Sequence, residues 1–259
     1  MADFPAGARH EAVGFSIGTK GYIGTGYDGS STYYNDFWEY NSSLGTWIQK
    51  ANLTGGAREG AVGFSIGSKG YIGTGRGTTG FKMDLWEYDT TADSWTQKAN
   101  FPGAARDDGF GFSIGTKGYI GTGQNSSLSF DDFYEYDPGT DTWAQCPNFP
   151  GGTRAYATGF SIGAKGYAGM GYNGMNNIDF WEYSPSTLSI HESIVEYSIS
   201  IYPNPFSNVT TLRSNDNLKH ATLTIYDLYG QIVKQIKNIR RQTIVLSRDD
   251  LPSGLYFLG

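Results

Sequence analysis

The sequence predicts an all-β protein in which four sheets of four short antiparallel strands pack face to face and a smaller β domain follows. Repetition is the first ground for this. The string GFSIG recurs at Gly14, Gly63, Gly111 and Gly159, at offsets of 49, 48 and 48 residues, and a fixed period of that length marks stacked supersecondary units. Composition is the second. Aromatic residues reach 15%, charged residues only 17%, and there are 37 glycines in 259 residues, which suits short packed strands with many turns and argues against long helices.

Each unit can be read in order. An arginine comes first, at Arg9, Arg58, Arg106 and Arg154. In Val13-Gly14-Phe15-Ser16-Ile17 the apolar side chains fall on alternate residues, as in a strand with one packed face. Gly18-Thr19-Lys20-Gly21 is a turn, Tyr22-Ile23 begins a second strand, Phe37-Trp38-Glu39-Tyr40 a third, and Trp47-Ile48-Gln49-Lys50 a fourth. The third strand lies in an aromatic-acidic string that begins at Asp36, Asp84, Asp132 and Asp179. Trp47, Trp95 and Trp143 each stand seven residues after its last tyrosine, and Ile190 takes that place in the fourth unit. Sheets of this size cannot bury their aromatics alone, so neighbouring units must pack together.

Composition changes near Ser189. All six tryptophans and 34 of the 37 glycines precede it, and the charge splits into −7 for residues 1–189 and +1 for 190–259. The reading is units near 9–57, 58–105, 106–153 and 154–189, then a linker and separate domain over 190–259. In that tail Ile199-Ser200-Ile201-Tyr202 runs into a proline-fixed turn. Leu223-Thr224-Ile225-Tyr226 and Gln231-Ile232-Val233 form a hairpin, and Leu251 to Phe257 opens a last strand.

The Gly24-Thr25-Gly26 string after the second strand, the third-strand tyrosine and the fourth-strand tryptophan resemble a kelch repeat. The resemblance implies a β-propeller with one sheet per blade. Since kelch propellers usually have five to seven blades, the four seen here imply an incomplete ring with an open rim. The tail strings YPNPF, IYDLYG and SGLYF resemble the type A sorting domain of Bacteroidetes type IX secretion. That implies a small immunoglobulin-like β-sandwich, here shortened, since the family continues past the SGLYF-like string.

The chain holds little that resembles catalytic machinery. Gly24 to Gly29 and Gly169 to Gly174 match GxGxxG, but no helix follows to receive a pyrophosphate. One cysteine, Cys146, and three histidines exclude a cysteine-rich zinc site and copper chemistry of the galactose oxidase kind. The net charge of −6 argues against nucleic acid, and no apolar run is long enough for a membrane span. The recurring arginines form either an anion-binding ring or, the favoured reading, ion pairs with Glu39, Glu87, Glu135 and Glu182 or with adjacent acids. The residues beside them vary: His10-Glu11, Glu59, Asp107-Asp108 and Ala155-Tyr156. Clustered carboxylates suit a hard cation such as calcium, but no DxDxDG-like loop is present. The expectation is therefore solvated or arginine-paired acids, with no metal and no cofactor.

Function is read from the loops. Turns at one end of the sheets are nearly invariant, whereas those at the other diverge, and divergent loops on a rigid scaffold are where binding resides. The expected binding residues are Tyr27, Asp28, Tyr33, Tyr34, Arg76, Lys82, Gln124, Asn125, Tyr172, Asn173 and Asn177. Tyrosine faces suit sugar rings, and the amides suit hydroxyls. The expectation is a secreted or surface-attached, non-enzymatic binding module for an extracellular glycan or protein, delivered by the type IX machinery. The alternatives are a carbohydrate-active kelch enzyme, such as a sugar epimerase or lyase, and a passive display array.

Overall fold

The computed structural model describes residues 2–185, 199–205, 207–215, 217–227 and 231–247, with the backbone of 257 and 258. They form strands and turns without helix. The chain divides into two compact units, Met1–Ser186 and Thr187–Gly259. The expected junction at residue 189 lies outside the described residues, as does Ile190.

In the first unit, β1 (Val13–Ile17), β2 (Lys20–Gly24), β3 (Phe37–Asn41) and β4 (Thr46–Lys50) form the first antiparallel sheet in sequence order. The second sheet holds β5 (Val62–Ile66), β6 (Lys69–Gly73), β9 (Leu85–Asp89) and β10 (Ser94–Lys98). A two-residue hairpin, β7 (Arg76–Gly77) with β8 (Gly80–Phe81), stands in its divergent loop. Strands β11 (Phe110–Ile114), β12 (Lys117–Gly121), β13 (Phe133–Asp137) and β14 (Thr142–Cys146) make the third sheet. The fourth contains β15 (Thr158–Ile162), β16 (Lys165–Gly169) and β17 (Phe180–Tyr183) among the described residues.

Blades pack through their first strands, β1 on β5, β5 on β11 and β11 on β15, while β1 and β15 do not meet. The sequence shows why this contact repeats. Phe15, Phe64 and Phe112 each lie against a glycine pair of the next blade: Gly63 and Gly70, Gly111 and Gly118, Gly159 and Gly166. A Cβ at Gly118 would fall 2.3 Å from the Phe64 ring, so the ring occupies the space a side chain would fill. Phe64 and Phe112 are buried in this way, worth roughly 2–3 kcal/mol each by area. The tryptophans close the outer edge identically: Trp47, Trp95 and Trp143 donate Nε1–H to the carbonyls of Ala2, Ala51 and Ala99.

The arginines clamp each blade, but not through the expected glutamates. Arg58 and Arg106 are wholly buried. Arg58 makes a bidentate pair with Asp84, with Nη1 at 2.6 Å from Oδ1 and Nη2 at 2.8 Å from Oδ2, and also donates to the Thr74 carbonyl at 2.9 Å. Arg9, Arg106 and Arg154 repeat this with Asp36, Asp132 and Asp179. The glutamates sit mid-strand, directly across from a tyrosine in register, Tyr22 opposite Glu39 and Tyr71 opposite Glu87. They accept the tyrosine hydroxyls instead, at 2.9 and 2.7 Å. With their Nη groups taken by an aspartate and a backbone carbonyl in every blade, these guanidinium groups do not form an anion-binding ring.

The second unit is a pair of three-stranded sheets. One contains β18 (Ile199–Tyr202), β19 (Val209–Ser214) and β22 (Thr243–Ser247). The other contains β20 (Ala221–Tyr226), β21 (Ile232–Ile239) and β23 (Phe257–Leu258). Leu212, Ile244 and Leu246 from one sheet and Leu223, Ile225 and Ile239 from the other share one core, which makes the unit a small sandwich. Phe257 of the SGLYF string pairs with Tyr226 of the IYDLYG string.

Candidate functional site

The two residues after each clamp arginine are fixed by backbone alone. The first, His10, Glu59, Asp107 or Ala155, pairs with the residue just past the second-strand glycines: Tyr27, Arg76, Gln124 or Tyr172. The second occupies the left-handed region in every blade, at φ 53° for Glu11, 57° for Gly60, 56° for Asp108 and 60° for Tyr156. That turn aims each amide at the preceding blade. Gly60 donates to the Glu11 carbonyl at 3.2 Å, Asp108 to Gly60 at 2.9 Å, and Tyr156 to Asp108 at 2.8 Å. Non-glycine residues held there cost of order 1 kcal/mol each, and this backbone ladder links one blade to the next.

The ladder gathers side chains that lie far apart in sequence. Glu59, Asp107 and Asp108 are buried, so of the two expected states, solvated or arginine-paired, the solvated one does not hold for these acids. Arg76 donates Nε–H to Glu59 Oε1 at 3.1 Å and lies 3.6 Å from Asp107 Oδ2. So the arginine that pairs with these acids is a loop residue, not one of the clamp arginines. Gln124 donates to Asp108 Oδ2 at 3.1 Å and to the Tyr156 hydroxyl at 3.0 Å. His10 Nδ1 lies 3.6 Å from Glu11 Oε1. Burial, then the neighbouring Asp108 carboxylate, pushes Asp107 up to about 7. Burial first, then Asp108 and Glu59, also raises Glu11.

The expected binding residues divide into three groups. Tyr27, Tyr33, Arg76 and Gln124 come together around these acids. The Tyr27 and Tyr33 rings lie 4.6 Å apart, and Tyr27 senses the charges of Glu59 and Arg76. Asp28, Tyr34, Lys82, Asn125 and Asn177 instead hold their own loops. Asp28 accepts from the amides of Ser30, Ser31 and Thr32, and Asn125 from those of Ser127 and Leu128. Asn177 donates back to Gly171 and Met175, Lys82 reaches Thr79, and Tyr34 covers the Arg9 guanidinium at 3.8 Å. Tyr172 and Asn173 are exposed on the fourth-blade loop. The expected set lacks His10, Glu11, Glu59, Asp107, Asp108 and Tyr156. Their one signal in sequence was divergence beside an otherwise invariant arginine.

Comparison with known proteins adds the family. The model described as the KLHDC2/KLHL20/DRC7 Kelch-repeats domain matches residues 2–171. The chain belongs to the kelch-repeat family. The kelch propeller is followed by a match to the secretion system C-terminal sorting domain over residues 200–259, so this is an exported kelch module. Among solved structures, "Structure of YjhT" superposes with a TM-score of 0.60 at 16% identity, covering 73% of this chain and 68% of that chain. That likeness shows the kelch propeller fold. No curated protein matches the sequence.

Proposed function

We propose that this exported kelch module binds an uncharged, hydroxyl-rich extracellular ligand, a glycan, where the divergent loops gather. The observation that supports it is the convergence of Glu11, Glu59, Asp107 and Asp108 from three blades, beside Arg76 and the rings of Tyr27, Tyr33 and Tyr156. Carboxylates accept hydrogen bonds from adjacent hydroxyls, and tyrosine faces pack on the apolar side of a sugar ring. Four acids against one guanidinium repel an anionic ligand. A glycan array and calorimetry on the hits test the reading. Asp108→Asn and Tyr27→Ala are each expected to weaken binding about 10- to 100-fold, the worth of one hydrogen bond to a charged group or one stacked ring. Equal binding by native and variant proteins would overturn it.

A carbohydrate-active enzyme is the second reading, favoured by the two carboxyl groups of Asp107 and Asp108 touching in the same place. Turnover of any array hit by native protein, lost in Asp108→Asn, would select it over simple binding.

A further inference from the structure

Every joint between sheets has two sides, and the propeller carries one of each without a mate. The first side is a stack of rings. Phe112, Tyr119 and Phe133 stack in the third sheet, and the fourth sheet assembles the same stack from Phe160, Tyr167 and Phe180, with centroids 5.6, 5.8 and 5.8 Å apart. There it is uncovered: Phe180 is 52% exposed, against 4% for Phe133. The second side is a glycine pair beside a tyrosine. At Gly70, Gly118 and Gly166 a Cβ would fall 2.6, 2.3 and 2.2 Å from a phenylalanine ring of the preceding sheet, and Tyr88 and Tyr183 meet Phe37 and Phe133 of that sheet at 4.9 and 4.8 Å. The first sheet has Gly14, Gly21 and Tyr40 in these places. A Cβ at Gly14 or Gly21 would meet only that sheet's own Tyr22, Ile23 and Tyr40, no closer than 3.7 Å. Independently, the backbone ladders end in matching groups. Gly26, Gly75 and Gly123 donate N–H to the carbonyls of Arg58, Arg106 and Arg154 in the next sheet, while the ladder through Glu11, Gly60, Asp108 and Tyr156 donates in the opposite direction. Among the described residues, the Gly171 N–H and Tyr156 carbonyl at the fourth sheet have no backbone partner, and neither do the Arg9 carbonyl and Glu11 N–H at the first.

We infer that the Phe160 face of one copy of this chain docks head to tail on the Gly14 and Gly21 face of a second copy, reproducing the joint that already links its own sheets. Phe160 enters the space over Gly14 and Gly21 as Phe15 does over Gly63 and Gly70, and Phe180 meets Tyr40 as Phe37 meets Tyr88. The Gly171 N–H then finds the Arg9 carbonyl, and the Glu11 N–H finds the Tyr156 carbonyl, each with the polarity of the internal ladders. The two faces do not satisfy each other within one chain, since β1 and β15 do not meet. A second copy brings ring stack, glycine pair, tyrosine and both ladder ends at the spacing the internal joints use three times. Such a contact is heterologous, with a different surface on each partner, so it closes into a ring or extends into a chain according to its rotation.

The test uses the full chain, with sedimentation velocity and native mass spectrometry as readouts. Phe160→Glu spoils the ring face, and Gly21→Val fills the glycine face at a position whose nearest neighbour leaves room for a side chain. Each alone should weaken self-association about 30-fold or more, as loss of a central interface contact does, while keeping the native circular dichroism spectrum and Tm. An equimolar mixture of the two variants should pair again, because each retains the face the other has lost. The product should be a one-to-one heterodimer that grows no further. Two identical surfaces meeting across a twofold axis cannot give that result. Gly14→Glu, at the other glycine, takes the place of Gly21→Val if that variant does not fold. A native chain that stays monomeric from micromolar to millimolar concentration would overturn the inference. So would self-association unchanged by a folded glycine-face variant, or a mixture that forms no heterodimer.

Discussion

At the scale of single residues, the clamp arginines are the most consequential side chains. Arg106 is fully buried with Asp132 as its counter-charge, so Asp132→Asn leaves a buried cation uncompensated. The expected loss is about 3–5 kcal/mol, read from urea unfolding at pH 7. Asp84 shows how the clamp responds to acid. Burial pushes its carboxyl up, the Arg58 hydrogen bond and charge pull it down, and the net is downward; Arg154 holds Asp179 lower still, at about 2. A folded pKa below the unfolded one stabilises above the usual carboxylate range, and that contribution is lost as the pH falls through the folded pKa. Thermal unfolding between pH 7 and 2 should therefore show Tm falling on the acid side, with a shallower fall in Asp84→Asn. Tyr34 belongs with the clamps, because its ring covers Arg9. Tyr34→Ala is expected to lower Tm and leave glycan affinity unchanged.

At the scale of elements, the phenylalanine-on-glycine contact decides how blades join, and it supplies an internal control. Gly118→Ala drives a methyl into the Phe64 ring, and a loss of about 1–3 kcal/mol is expected. Gly21, the matching glycine of the first blade, would meet only its own Tyr40 Cβ, at 3.7 Å. Gly21→Ala should therefore change stability by less than about 0.5 kcal/mol, and equal costs at the two positions would show that the contact is misassigned. Repetition made this architecture legible in sequence, because a residue copied in every unit must serve the unit, and alternation gave the strands. The arginine partners were not legible by counting, since one aspartate and one glutamate recur in each unit. Register decides between them: Glu39 faces Tyr22 across a strand pair, leaving the aspartate ahead of the strand for the arginine. Nor was the acid cluster legible. Glu11, Glu59 and Asp107 lie 48 residues apart along the chain and meet only through the blade-to-blade ladder.

At the scale of the molecule, the end blade leaves the same surface uncovered that its neighbours bury. Phe160 and Ile162 are 42% and 64% exposed, against 4% and 8% for Phe112 and Ile114 one blade earlier. Exposed blade faces of this kind favour self-association. Sedimentation velocity is expected to show concentration-dependent oligomers that Phe160→Glu and Ile162→Glu abolish, and a strictly monomeric native protein across micromolar to millimolar concentrations would refute this. The clamp also separates what folds the propeller from what it displays. With every arginine held by an aspartate and a carbonyl, the two residues that follow it are free to differ from blade to blade, within a buried place at the first in the last three blades and a left-handed backbone at the second. Those eight positions amount to an alphabet written on a fixed page. The first of each pair is His, Glu, Asp or Ala, buried in all but His10, and the second favours Gly, Asn or Asp. New specificities can thus be drawn one blade at a time, and a library varied freely at the exposed 10 and limited at the buried 59, 107 and 155 to side chains no larger than glutamate should remain mostly folded while its ligands diverge.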